Sequence, residues 1–157
     1  MEEHLESRPK KEIFPLEKQE VLRAKAIEKF KEKFLPDDKI IKVIMIGGSV
    51  KGKFGKYEEP GFRGSIYSDF DFIVFVEEDY EIPDWLEREP KGKPFWDHPE
   101  LNLSYKSRKF VEDKYNIEVF FVRKSTMENI DFQKLGESAG IPMIENSKII
   151  HIEVYKK

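Results

Sequence analysis

The sequence predicts an α/β (α+β) fold, in which a mixed sheet of about four or five strands is flanked by helices. Two observations carry this prediction. Apolar residues recur at helical spacing between residues 16 and 34. Short runs rich in Ile, Val and Phe then follow, separated by loops and by further helical patterns. This alternation of helical and strand patterns indicates one layered domain.

The composition limits the class of protein. A chain of 157 residues fits a single domain with a modest core. Charged residues make up 38% of the chain and cysteine is absent, a composition that resembles proteins selected for heat resistance. The absence of cysteine excludes disulfides and thiolate metal sites. A net charge of −3 excludes a global positive field for nucleic acid. No apolar run approaches the roughly 20 residues of a membrane span, so we expect a soluble cytoplasmic protein.

The first half of the chain begins with a charged leader. Residues 1–15 contain two prolines and are expected to be loosely ordered, whereas residues 16–157 form one domain. Leu16–Phe34 is predicted to be a helix with one apolar stripe. Residues 40–46 form a strand, and a long loop follows over 50–68. The next strand, 69–76, is apolar on both faces and is therefore expected at the centre of the sheet.

The second half is predicted from weaker patterns. Residues 77–99 are irregular, and residues 100–115 are predicted to form a helix. A third strand covers 117–122. Ser125 is expected to cap a helix over 126–135, with Glu128 completing a capping box. A final strand covers 148–155.

Asp69 and Asp71 are the most informative pair of residues. Side chains two apart on a strand point to the same face, so both carboxylates leave an otherwise apolar strand together. Two like charges there are costly, and a bound cation such as Mg²⁺ is the simplest compensation. The alternative is a solvated strand start that forms a turn with Ser68.

The Gly47-Gly48-Ser49 segment ends the preceding strand. Glycines allow close approach of a ligand, and backbone N–H groups with a serine hydroxyl can hold phosphate oxygens. An ordinary turn is the alternative. Basic residues follow that could neutralise a triphosphate or simply form a surface loop: Lys51, Lys53, Lys56 and Arg63.

Glu118 is an acidic residue inside the apolar strand 117–122. An inward charge there needs a partner or a metal. If this strand lies beside the Asp69 strand, Glu118 converges on the same cation. A solvent-facing Glu118 paired with a lysine remains open.

Taken in order, these features resemble the DNA polymerase β-like nucleotidyltransferase superfamily, and in particular its minimal prokaryotic domains. The resemblance covers about residues 40–155. It implies that Gly48 and Ser49, with neighbouring Gly47, Lys51 and Ser68, bind the nucleotide. It also implies that Asp69 and Asp71 bind two Mg²⁺ ions, which Mn²⁺ could replace, and that Glu118 is the third carboxylate. The long gap between Ser49 and Asp69, and Glu in the third position, depart from the usual pattern.

The resemblance implies transfer of a nucleoside monophosphate, AMP from ATP, to a hydroxyl acceptor. It also leaves two alternatives open: a regulatory module of a toxin–antitoxin pair that binds a small helical protein, and a nucleotide-binding domain without turnover. RNA as acceptor has little support. Tyr57, Phe62 and Tyr67 could stack bases or could anchor the long loop to the core.

Overall fold

The computed structural model describes residues 10–58, 66–90, 103–139 and 141–157. Four helices lie in these ranges: α1 (Leu16–Phe34), α2 (Gly48–Lys51), α3 (Lys124–Met127) and α4 (Phe132–Ala139). Ten strands accompany them: β1 (Lys11–Ile13), β2 (Ile40–Ile46), β3 (Gly55–Tyr57), β4 (Phe70–Val76), β5 (Glu87–Pro90), β6 (Leu103–Val111), β7 (Tyr115–Arg123), β8 (Ile144–Glu145), β9 (Lys148–Ile149) and β10 (Ile152–Lys156).

A mixed sheet of six strands, in the order β10-β2-β4-β7-β6-β5, forms the centre of the fold. Strands β4 and β7 are parallel, and every other neighbouring pair is antiparallel. The prediction of a mixed sheet flanked by helices is confirmed, whereas the predicted count of four or five strands was too low. The prediction that 69–76 lies centrally is also confirmed, because all seven residues of β4 are buried between β2 and β7.

Helix α1 covers one face of the sheet and has the predicted bounds. Its Phe30 ring is fully buried and stacks on Phe72 of β4, with ring centroids 4.2 Å apart. Phe34 stacks on the other side of Phe30 at 4.1 Å. This row of rings belongs to the larger of two apolar clusters and explains the helical stripe in the sequence.

The opposite face of the sheet carries the smaller cluster, in which Ile73 and Phe120 pack with Leu135 of α4. The helix predicted over 126–135 is instead two short helices, α3 and α4. Ser125 lies inside α3, so the predicted capping box with Glu128 was wrong. The carboxylate of Asp131 accepts hydrogen bonds from the N–H groups of residues 133 and 134, and this cap begins a new helix.

The prediction of a helix over 100–115 was wrong for its described part. Residues 103–111 form strand β6, which pairs with β7 through a tight turn. Glu112 and Asp113 both have φ near +55°, the backbone of a type I′ hairpin turn.

Several short strands complete the described fold. Lys11–Ile13, part of the predicted leader, form β1 and pair with β3 from within the predicted loop 50–68. The two strands approach so closely that a Cβ on Gly55 would lie 2.0 Å from the Glu12 carbonyl oxygen. Within 77–99, residues 87–90 form the edge strand β5. The predicted last strand is divided into β9 and β10.

Candidate metal centre

Three carboxylates converge where the start of β4 pairs with β7. One oxygen each of Asp69, Asp71 and Glu118 lies within 4.8 Å of the other two, an arrangement that could hold a metal ion. Asp71 and Glu118 are direct partners in the β4–β7 register, and Asp69 stands two residues before Asp71. The predicted convergence of the three side chains is therefore confirmed.

These carboxylates are buried rather than solvated. The exposed fraction is 7% for Asp71 and 1% for Glu118, while Asp69 is partly buried. The group extends the smaller apolar cluster, because Asp71 continues the face of Ile73 and Glu118 continues the face of Phe120. Burial at the end of an apolar face strengthens both the mutual repulsion of the carboxylates and their attraction for a cation.

The end of β2 closes one side of the group. Gly47 follows Ile46, which pairs with Asp71. A Cβ on Gly47 would lie 2.4 Å from Oδ2 of Asp71, and the φ of Gly47 is +83°. Position 47 therefore requires glycine both for space and for backbone conformation. The first residue of the predicted Gly-Gly-Ser segment thus lies directly against Asp71.

Ser49 lies in helix α2, which begins immediately after Gly47. Its side chain is 1% exposed, and its hydroxyl oxygen has no hydrogen-bond partner among the described residues. The Ser49 carbonyl accepts a hydrogen bond from Arg23 of α1 at 3.1 Å. A buried hydroxyl without a partner is costly, so this atom is a natural contact for a ligand.

The sequence interpretation missed Lys106 of β6. The side chain is 1% exposed, and its Nζ lies 3.4 Å from Oδ2 of Asp69. Ser104, two residues earlier on the same strand face, is also fully buried. The signal available in the sequence was the alternation of Leu103 and Tyr105 with these two polar residues.

Lys11 was also missed, since it falls in the predicted leader. Burial lowers the pKa of its ammonium group, and the nearby Lys53 lowers it further, whereas the Asp71 carboxylate raises it. The Lys11 ammonium also lies 5.4 Å from the centre of the Tyr57 ring. The Lys11 ammonium group is therefore influenced both by a second cation, Lys53, and by one carboxylate of the acidic group.

Lys51, Ser68 and Lys56 are the other described residues that the sequence offered for nucleotide binding. Lys51 ends α2 and is partly exposed. The hydroxyl of Ser68 accepts a hydrogen bond from the Gly55 N–H at 3.1 Å, which holds the chain before Asp69 against β3. Lys56 is exposed on β3, while Arg63 lies outside the described residues.

Three described aromatic residues of the two loops contact the core. Tyr67 packs edge-on against Tyr115 at 4.8 Å, and Phe54 stacks on Phe70 at 4.3 Å. Trp85 packs against Phe34 at 5.4 Å between ring centroids. The contact of Tyr67 favours anchoring over base stacking for this residue, whereas Phe62 lies outside the described residues.

Comparison of the chain with protein-family models and with curated proteins finds no match. Among the described helices, none combines the length and apolar character needed to cross a membrane. The functional interpretation therefore depends on the geometry of the site.

Proposed function

We propose that this chain is a Mg²⁺-dependent nucleotidyltransferase that transfers a nucleoside monophosphate, AMP from ATP, to a hydroxyl acceptor. One observation carries the proposal: the carboxylates of Asp69, Asp71 and Glu118 meet beside the Gly-Gly-Ser segment. The order of these features along the chain supports membership of the DNA polymerase β-like superfamily. We place the reaction in the cytoplasm, where ATP and Mg²⁺ are available.

The residues present fit a divalent cation. Mg²⁺ takes oxygen ligands and is commonly held by one or two carboxylates together with substrate phosphates. Here three carboxylate oxygens lie close enough to share an ion, and two of the side chains are buried. When bound, the ion would neutralise phosphate charge and lower the pKa of an acceptor hydroxyl.

The remaining groups bind and orient the substrate. Gly48 and Ser49 contribute the turn that receives phosphate oxygens, and the buried Ser49 hydroxyl gains a partner when they bind. Lys11 supplies positive charge near enough to Asp71 for that carboxylate to raise the lysine pKa, and Lys53 carries a second positive charge near Lys11. In the reaction, the acceptor oxygen bonds to the α-phosphorus as the α–β phosphoanhydride bond breaks. Pyrophosphate leaves and the acceptor proton passes to solvent.

Transfer of label from α-labelled ATP tests the proposal. The chain is incubated with Mg²⁺ and a panel of protein, RNA and small-molecule hydroxyl acceptors. We expect label on one acceptor class, dependent on Mg²⁺ and abolished in Asp71→Asn and Glu118→Gln. Asp84→Asn is the matched control, because Asp84 is exposed and distant in sequence from the three carboxylates.

Binding of a nonhydrolysable ATP analogue separates the alternatives. Binding that needs Asp71, without label transfer to any acceptor, would identify a nucleotide-binding domain without turnover. No binding of the analogue in the presence of Mg²⁺ would refute the proposed function.

A further inference from the structure

Lys106 is a buried cation inside the acidic group. Lysine is almost never fully buried unless its charge is paired, because desolvation of an ammonium ion costs several kcal/mol. Its Nζ lies 3.4 Å from Asp69 Oδ2, and the side chain is 1% exposed. The ammonium group therefore forms part of the site and not of the protein surface.

The register of the sheet determines the position of the Lys106 ammonium group relative to the carboxylates. Lys106 is the direct partner of Glu118 in the antiparallel β6–β7 pair, and Glu118 is the direct partner of Asp71 in the parallel β4–β7 pair. Directly paired residues project from the same face of a sheet. Asp71, Glu118 and Lys106 therefore form one row across three neighbouring strands, with the cation at the end opposite Gly47.

Asp69 adds a third carboxylate beside this row, and the charges of the four side chains determine how much further positive charge the group accommodates. Three carboxylates and one ammonium group leave a formal charge of −2, which one divalent ion neutralises. A second divalent ion would leave the group at +2. Because the group is buried, an excess charge of either sign is poorly screened by water.

We propose that Lys106 is a resident cation that takes the place of one metal ion, so that the nucleotide-free protein binds one divalent ion and not two. This inference rests on the proposed function, since both require metal binding by the three carboxylates. It differs from the two ions that the family resemblance implies. A separate observation is the buried Ser49 hydroxyl, which has no hydrogen-bond partner among the described residues and lies two positions after Gly47, the residue packed against Asp71.

The test is the stoichiometry of Mn²⁺ binding, with the metal alone as probe. Calorimetric titration and electron paramagnetic resonance are measured on wild type and on Lys106→Met, which keeps the length of the side chain and removes its charge. We expect one Mn²⁺ per wild-type chain. We expect two per Lys106→Met chain, with the spin coupling of a close metal pair. Lys114→Met, an exposed lysine in the β6–β7 turn, is the control and should bind one ion.

The outcomes separate this inference from the proposed function. Two Mn²⁺ ions in wild type, or one in both wild type and Lys106→Met, would overturn the role of Lys106 and leave nucleotidyl transfer intact. No Mn²⁺ binding by wild type would overturn both. A count of two Mn²⁺ ions in wild type overturns the role of Lys106 by itself, so the inference stays open to refutation even if Lys106→Met does not fold.

Discussion

The carboxylate of Asp71 occupies the space that a side chain at Gly47 would need. A Cβ there would lie 2.4 Å from Oδ2, and the positive φ of Gly47 disfavours any other residue. The turn after β2 and the acidic residue of β4 are therefore mutually dependent. A substitution at either position should therefore change the conformation of the other residue.

Gly47→Ala should destabilise the fold and displace the Asp71 carboxylate. Backbone strain at a positive φ costs about 1–3 kcal/mol, and the steric overlap adds to it. We expect the free energy of unfolding to fall by about 2 kcal/mol or more, with weaker Mn²⁺ binding. Denaturant unfolding and calorimetry measure the two effects.

Gly48→Ala is the control for that experiment. A Cβ on Gly48 would meet its nearest atom, the Lys53 carbonyl oxygen, at 3.6 Å, an ordinary contact. Gly48 begins α2, so alanine should leave stability unchanged or raise it by up to about 1 kcal/mol. Equal destabilisation by both variants would show that the contact with Asp71 is not the cause.

Asp71→Asn should weaken metal binding and at the same time raise the stability of the metal-free protein. Loss of residues that merely orient a metal ligand already lowers metal affinity about 10–100-fold, so loss of a ligand itself should cost at least about 100-fold. Without metal, removal of one of three crowded carboxylates should stabilise the protein by roughly 0.5–2 kcal/mol. Thermal unfolding with and without Mn²⁺ measures both effects. A metal-free variant less stable than wild type would contradict the repulsion between the carboxylates.

Gln19→Leu should loosen the segment that follows α2. The Gln19 amide donates to the carbonyls of Phe14 and Gly52 at 2.7 and 3.0 Å, and its oxygen accepts from the Phe54 N–H at 3.1 Å. Each buried group left without a partner costs about 1–3 kcal/mol, so a loss of about 3 kcal/mol is expected in denaturant unfolding. Glu20→Leu places the same side chain on the exposed face of α1 and should change stability by less than about 0.5 kcal/mol.

Tyr80 should make stability fall at high pH. Burial raises the pKa of its phenol from 10.0 to about 12, with a further increase from Asp37 and an opposing effect of Arg123. Because the folded-state pKa is raised, the stabilisation is complete below pH 10.0 and is lost as the pH rises towards about 12. Unfolding midpoints across this range should fall more steeply in wild type than in Tyr80→Phe. Identical pH profiles would show that Tyr80 is solvated in the folded protein.

The elements with strong periodicity could be predicted from the sequence. Helix α1 has its predicted bounds because its apolar stripe packs on one sheet face, and β4 was recognised because both of its faces are buried. Strands β1 and β3 have three residues each, too few to display alternation. Their pairing depends on contacts between distant segments.

The sequence could predict those residues of the candidate site whose type is unusual for their position in a strand. Asp69, Asp71 and Glu118 are acidic residues in apolar strands, and such a pattern is visible without a structure. The helix prediction over 100–115 was wrong for β6 because this strand buries Ser104 and Lys106, where an ordinary strand buries apolar residues. Local rules fail most readily where a strand contributes to a functional site.

The parallel pairing of β4 with β7 also has a kinetic consequence. Strands β5 and β6 lie between them in the sequence, so Asp71 and Glu118 become neighbours only after a long segment has folded back. Such non-local pairing forms slowly, and a ligand that bridges the two carboxylates acts chiefly on the finished structure. A bridging ion would therefore extend the lifetime of the folded chain by slowing its unfolding, and would leave the rate of folding almost unchanged.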